Sequence, residues 1–264
     1  MVVGEQIIRY AKVFGNGAHV FVPKEWVGEQ ITLVRPKKRS LRERILDTLE
    51  PYLESITGVY LYGSYARSEQ EEDSDVDLLI ITNKKVKIRE KGFEILSLDK
   101  KEIEKAIKLE PLLMYSIFSD CKSIINSGLI EELKSLYTPK LADFSDFLAD
   151  CERLVKINGE FIESEKEKYF SGDAVIYSLV LRMRGLFILK SLLESKIYTH
   201  KSFKHWISKN LPEIDFNSLY LAYKLSKNEK KINFKIKVED IKQLLEFLKK
   251  EINFMKYDKK RKKA

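Results

Sequence analysis

Cysteine is almost missing from this chain: Cys121 and Cys151 are the only two in 264 residues. They lie far apart and match no metal-ligand spacing, so a disulfide framework or a cysteine zinc site is excluded. Two reduced thiols in a cytoplasmic protein are the expectation. No apolar run approaches the roughly 20 residues of a membrane span. The first ten residues, MVVGEQIIRY, lack a basic start followed by an apolar block, so no secretory signal is expected. Internal repeats and low-complexity linkers are absent as well.

What the chain does have is apolar bulk and charge. Apolar residues make up 44%, enough for a packed core, and the length allows one large domain or two ordinary ones. The formal net charge is +8. Part of it sits in the last residues, where KYDKKRKK spans 256–263. A basic surface suits a polyanionic partner such as a triphosphate or a nucleic acid, and charge alone does not separate the two.

Three stretches differ in texture. Residues 1–36 read as short strands, EQIIRYAKVF, AHVFVP and QITLVRP, with Gly15-Asn16-Gly17 as a hairpin turn between the first two. Residues 38–137 read as mixed helix and strand. Ser40 and Glu43 have capping-box spacing ahead of a helix, which Pro51 should divide. Strands are expected at Gly58 to Tyr62, Val76 to Thr82 and Phe93 to Leu98, a helix at 100–109, and a strand at 113–126. Residues 140–258 read as helical throughout. AVIYSLVLRMRGLFILKSLLES is apolar on more than one face and predicts a central buried helix. The residues at 259–264 form a basic tail.

The chemistry concentrates in residues 59–80, VYLYGSYARSEQEEDSDVDLLI. Asp75 and Asp77 are two apart at the opening of a strand, which puts their side chains on one face. Two adjacent carboxylates ahead of a buried apolar run raise one another's pKa, and a cation relieves the repulsion. Mg²⁺ suits, because it takes a few carboxylates and completes its shell with water and phosphate. An isolated Asp-x-Asp is equally well two solvated acids. Gly63-Ser64 shifts the balance. It follows an apolar strand and opens a short helix, where amides and a hydroxyl can hold phosphate oxygens.

Gly63-Ser64-Tyr65-Ala66-Arg67 followed by Ser74-Asp75-Val76-Asp77 resembles the signature of the DNA polymerase β-like nucleotidyltransferase superfamily. The likeness is to its minimal members, which include antitoxin-type protein adenylyltransferases. Ser68 departs from the pattern, which has glycine after the arginine. The resemblance covers roughly residues 38–137, and with the texture of the flanking stretches it gives an α+β fold with three parts. A small mixed-sheet nucleotidyltransferase domain would carry a short N-terminal β segment and a C-terminal helical bundle. It also implies two Mg²⁺ ions on Asp75 and Asp77, and ATP as nucleotide donor with phosphates on Gly63 and Ser64. A third carboxylate on a neighbouring strand would complete the metal site and act as base. Glu94 fills that place where the family more often has aspartate, and Glu90 and Asp99 are its rivals. Arg67 would contact phosphate or cap its helix.

The flanking regions carry looser likenesses. Residues 12–38 resemble an AbrB-like hairpin, which implies DNA as a partner and a homodimer; a β-appendage packed on the enzyme explains the pattern as well. The C-terminal region is similar to the HEPN and aminoglycoside-nucleotidyltransferase bundles. None of the three histidines, His19, His200 and His205, follows an arginine at the spacing of HEPN ribonucleases, so that activity is not expected. The acceptor expected from these features is a protein side chain. A small-molecule acceptor, a DNA-binding regulator and a non-catalytic interaction module stay open beside it.

Overall fold

The computed structural model describes residues 7–34, 39–72, 74–170 and 172–261, with side chains as far as 256. The chain divides into two compact units, Met1–Arg44 and Ile45–Ala264.

In the first unit, β1 (Lys12–Phe14) pairs antiparallel with β2 (Gly17–His19) around the Gly15–Asn16 turn. A single 3-10 turn follows at Lys24–Trp26. The expected third strand does not form at 31–34, and the rest of QITLVRP lies outside the described residues. A strand needs a neighbour for its backbone groups, and this two-stranded ribbon offers residues 31–34 no pairing. None of residues 7–34 is buried.

Helix α1 (Leu41–Leu49) opens on the expected capping box. The Glu43 amide donates to Ser40 Oγ at 3.2 Å, and the Ser40 amide donates to Glu43 Oε2 at 2.6 Å. Pro51 ends the α-helical stretch, and Glu50–Ser55 continues as a 3-10 turn. The second unit then runs β3 (Ile56–Tyr62), α2 (Gly63–Arg67), β4 (Val76–Thr82), β5 (Phe93–Asp99), α3 (Ile103–Leu109), α4 (Pro111–Asp120), β6 (Lys122–Ile125) and α5 (Ser127–Leu136). The helical region follows: α6 (Ser145–Ser164), β7 (Tyr169–Phe170), α7 (Asp173–Leu193), α8 (His200–Asn210), α9 (Phe216–Lys227), β8 (Ile236–Lys237) and α10 (Val238–Arg261). The short β7 and β8 pair antiparallel.

The sheet order is β5-β4-β3-β6. β4 and β5 are parallel, and the other pairs are antiparallel, so the sheet is mixed as expected. Leu78, Leu79, Ile80 and Ile81 are all buried, so both faces of β4 are covered, which accounts for its unbroken apolar run. The strand expected at 113–126 is wrong for its first half: residues 111–120 are α4. A short apolar run such as LLMYSIF fits a strand or a buried helix equally. Pro111 at the first helical turn decides it, because a proline there loses no hydrogen bond.

One continuous core joins Tyr60, Leu79 and Ile81 of the sheet to residues of α3 to α10. α7 is its axis, packed against α4, α6, α9 and α10. Sheet and helices therefore share one interior.

Candidate active site

β3 and β4 run antiparallel with Tyr62 opposite Asp77, and β4 and β5 run parallel with Asp77 opposite Glu94. Side chains directly paired across a ladder project to the same face. Asp77 and Glu94 are thus neighbours on the face that carries Leu79 and Ile81 toward the helices. Asp75 precedes β4 and is exposed, while Asp77 is half-buried.

The chain turns sharply between β3 and α2. Gly63 has φ +71, a left-handed conformation that suits glycine. A Cβ on Gly63 would lie 2.0 Å from Asp77 Oδ2. The turn therefore lies directly against the carboxylate, and only a residue without a side chain fits. Ser64 follows, half-buried, and its carbonyl accepts from the Glu69 amide at 2.8 Å. α2 ends at Ser68 in the left-handed region, the position where the sequence departs from the family's glycine.

The Asp77 carboxyl is raised to about 6, by burial first and then by the charges of Glu94 and Asp75. Arg67 and Lys227 oppose them. Tyr62 is raised too, by burial first and then by the charges of Asp77, Glu94 and Asp120. These groups share one low-dielectric corner with an excess of negative charge. Among the described residues no three acidic, imidazole or thiol side chains converge to enclose a metal ion by themselves. The donor set suits a hard cation that keeps water and phosphate in its shell, as Mg²⁺ does.

The sequence-derived residues separate clearly. Gly63, Ser64, Asp77 and Glu94 come together, with Asp75 at the rim. Glu90 is an exposed loop residue. Asp99 caps the next helix, accepting from the Lys101 amide at 2.9 Å, and Glu102 bonds back to its amide at 3.1 Å. Arg67 faces protein carboxylates. Its Nε donates to Glu69 Oε2 at 3.1 Å, and its Nη1 donates to Asp120.

Two residues here are not legible as site residues in the sequence. Asp120 ends α4 and is 5% exposed, with a carboxyl raised by burial and drawn down by Arg67 and the Gly63 amide. An acid closing a strongly apolar run is the signal that points to it. Lys227, at the end of α9, brings a cation toward Asp77 from the far end of the sequence; nothing local marks it.

Residues 41–136 match the family described as nucleotidyltransferase domain. No curated protein matches the chain. The structure is similar to spectinomycin adenyltransferase AAD(9) from Enterococcus faecialis with ATP and spectinomycin. That similarity covers 80% of this chain and 97% of that one, at 15% identity and a TM-score of 0.45. It is also similar to a nucleotidyltransferase-like protein from Exiguobacterium sibiricum 255-15, over 80% and 72% of the two chains, at 14% identity and a TM-score of 0.35.

Proposed function

We propose that this nucleotidyltransferase moves AMP from ATP to a hydroxyl on a protein acceptor, with Mg²⁺ held by Asp75, Asp77 and Glu94. The observation that carries the reading is the contact of Gly63 with Asp77: the missing Cβ lets a phosphate-sized turn sit against a half-buried carboxylate. The Ser64 amide and hydroxyl take the β- and γ-phosphates, beside Gly63, whose own amide faces Asp120. Glu94, beside Asp77 and open to solvent, accepts the proton of the attacking hydroxyl. The acceptor oxygen bonds to the α-phosphorus, the bond to the β-phosphate oxygen breaks, and pyrophosphate leaves. Bound magnesium would neutralise the triphosphate and acidify the attacking hydroxyl. The protein supplies position and charge, which is most of what such a transfer requires.

A protein acceptor is favoured by the openness of the acid side. β5 is an edge strand, Glu94 and Asp75 are exposed, and a large partner can reach them. A small-molecule acceptor has one observation of its own. A cavity of about 480 Å³, within the range of ligand pockets, is lined by Tyr177, Ser226, Lys227, Lys230 and Lys231. Asp173 and Glu229 line it beside these lysines, so its lining is of mixed charge.

Residues 7–34 serve docking between proteins on this reading. In sequence, the hairpin-like segment 12–38 carries Lys12, Lys24, Arg35, Lys37 and Lys38 against Glu25 and Glu29, a net +3. Val13 and Phe14 are 86% and 73% exposed. A second copy of the chain, or the acceptor itself, would cover them.

Incubation with Mg²⁺ and α-labelled ATP, in the presence of cell lysate, tests the acceptor. Label on a polypeptide is expected. Label confined to RNA or a small molecule rejects the protein acceptor and keeps the site. Asp75→Asn with Asp77→Asn should abolish transfer, by at least about a thousandfold, with the fold retained. Transfer by the folded double variant would reject the site.

A further inference from the structure

The catalytic loop, residues 63–75, joins the phosphate turn to the first carboxylate. Three of its side chains leave the sheet and meet the helical region. The first is Arg67, whose guanidinium lies 5.3 Å from the ring centroid of Tyr198. Arg184 of α7 covers the same ring at 5.4 Å and donates from Nε to the Tyr198 hydroxyl at 3.2 Å. The second is Glu69. Its Oε1 accepts from the His200 amide at the start of α8, at 2.8 Å, while its Oε2 holds Arg67 at 3.1 Å. The third is Glu71, which pairs with Lys224 of α9 at 2.6 Å. The Glu71 amide in turn donates to Ser74 Oγ at 2.8 Å, one residue before Asp75.

These contacts have a direction. Arg67 is 11% exposed and Glu69 22% exposed, so the inner pair is shielded and worth more than a surface ion pair. Glu71 and Lys224 are more exposed and act at the rim. Glu69 is the centre, because one carboxylate binds the end of α2 and the start of α8 together. Support within the loop is local: α2 has five residues, the Ser68 and Glu69 amides bond back to Tyr65 and Ser64, and Glu71 and Ser74 bond to each other. A loop so thinly held takes its position from what it leans on.

We propose that Glu69 and Tyr198 are positioning residues for the transfer reaction, and that the helical region sets the geometry of the phosphate turn. This rests on the reading of residues 41–136 as the transferring domain. The helices are then part of the active site, and separating them from the sheet would leave the acids in place but the turn free. Glu69 acts through Arg67 on α2, and Tyr198 acts by stacking on the same guanidinium; neither needs to touch nucleotide.

The experiment compares full-length Glu69→Ala, Tyr198→Ala and Tyr198→Phe with wild type. In Glu69→Ala and Tyr198→Ala, kcat should fall about tenfold to a hundredfold and KM for ATP should rise several-fold, since small misplacement of reacting groups is costly. Tyr198→Phe keeps the ring and should stay within about threefold of wild type. The double variant Glu69→Ala with Tyr198→Ala should be little worse than either single change, because both act through Arg67. A second readout is independent of catalysis. Amide exchange across 63–71 should accelerate about tenfold in Glu69→Ala, while exchange in β4 stays unchanged. A folded Glu69→Ala with wild-type kcat, KM and exchange would overturn the clamp. If the wild-type protein transfers no nucleotide, the functional reading fails, and the exchange rates alone then decide the clamp. Should Glu69→Ala misfold, Lys224→Ala, which frees Glu71 at the exposed end of the loop, gives the same comparison at smaller amplitude.

Discussion

Residues 7–34 and residues 45–256 obey different rules in one chain. The first stretch has no buried residue, although it is rich in valine, isoleucine and phenylalanine. The second has a single core that runs from Tyr60 in the sheet to Met255 in α10. Both are apolar in composition, so composition does not make the difference. The number of surfaces that can be stacked does. A two-stranded ribbon has one thin layer and cannot cover itself, whereas a sheet faced by helices encloses both. Apolar side chains in the first stretch are therefore free for another surface. Those in the second are already used.

Two glycines give the sharpest contrast. Gly15 and Gly63 both have positive φ, +55 and +71. An alanine at either meets backbone strain of roughly 1–2 kcal/mol. At Gly15 the added methyl meets nothing within 4 Å, whereas at Gly63 it meets Asp77 at 2.0 Å. Gly63→Ala should therefore cost about a hundredfold in transfer, because Asp77 or the turn must move. Gly15→Ala should leave transfer unchanged. Parallel assays of the two variants would break the comparison if they lost activity equally.

The carboxylate of the dense region gives a smaller effect with a definite sign. Burial raises Asp77 in the folded protein from 3.8 to about 6. A carboxyl raised by folding binds its proton more tightly in the folded state. Its favourable contribution is complete below about pH 4 and is lost as pH rises to about 6. Asp77→Asn removes that dependence. In urea denaturation without divalent ions, the variant should gain on wild type between pH 4 and 6. The gain should be on the order of 1 kcal/mol after solvent screening, and flat above pH 6. A constant difference from pH 4 to 7 would mean that the Asp77 carboxyl is not raised. Mg²⁺ should shrink the gap at pH 7 by stabilising wild type alone.

The local parts of the candidate site are readable in the sequence. The Gly63-Ser64 turn, the Asp75-Val76-Asp77 pattern and the apolar run after it are all local features. Glu94 was readable because an acid inside FEILSL stands out; its register against Asp77 came only with the parallel pairing of β4 and β5. α4 reads as strand in the sequence because LLMYSIF, with six apolar residues of seven, fits either period. Asp120, Tyr198, His200, Lys224 and Lys227 were out of reach for a different reason. Their roles come from contacts spanning 53 residues between Arg67 and Asp120, and 131 between Glu69 and His200. A single sequence carries periodicity and caps, and those report neighbours along the chain, not across it.

The smallest expected effect falls on the thin region. Removing residues 1–36 should leave the unfolding free energy of residues 45–264 within about 0.5 kcal/mol. Large stability losses come from emptied cores and broken buried networks, and no residue of 7–34 is buried. Transfer to a small hydroxyl acceptor should be equally unaffected, since Gly63, Asp77 and Glu94 all lie in the second unit. What should change is association. Exposed Val13, Phe14, Phe21 and Val27 make an apolar surface of the kind that marks interaction sites. Light scattering across a concentration series should therefore show a larger species for the full chain than for the truncated one. Phe14→Lys should reproduce the truncation without removing any backbone. A truncated chain that unfolds well below the full-length midpoint would place residues 1–36 inside the folding unit and end the contrast between the two regions.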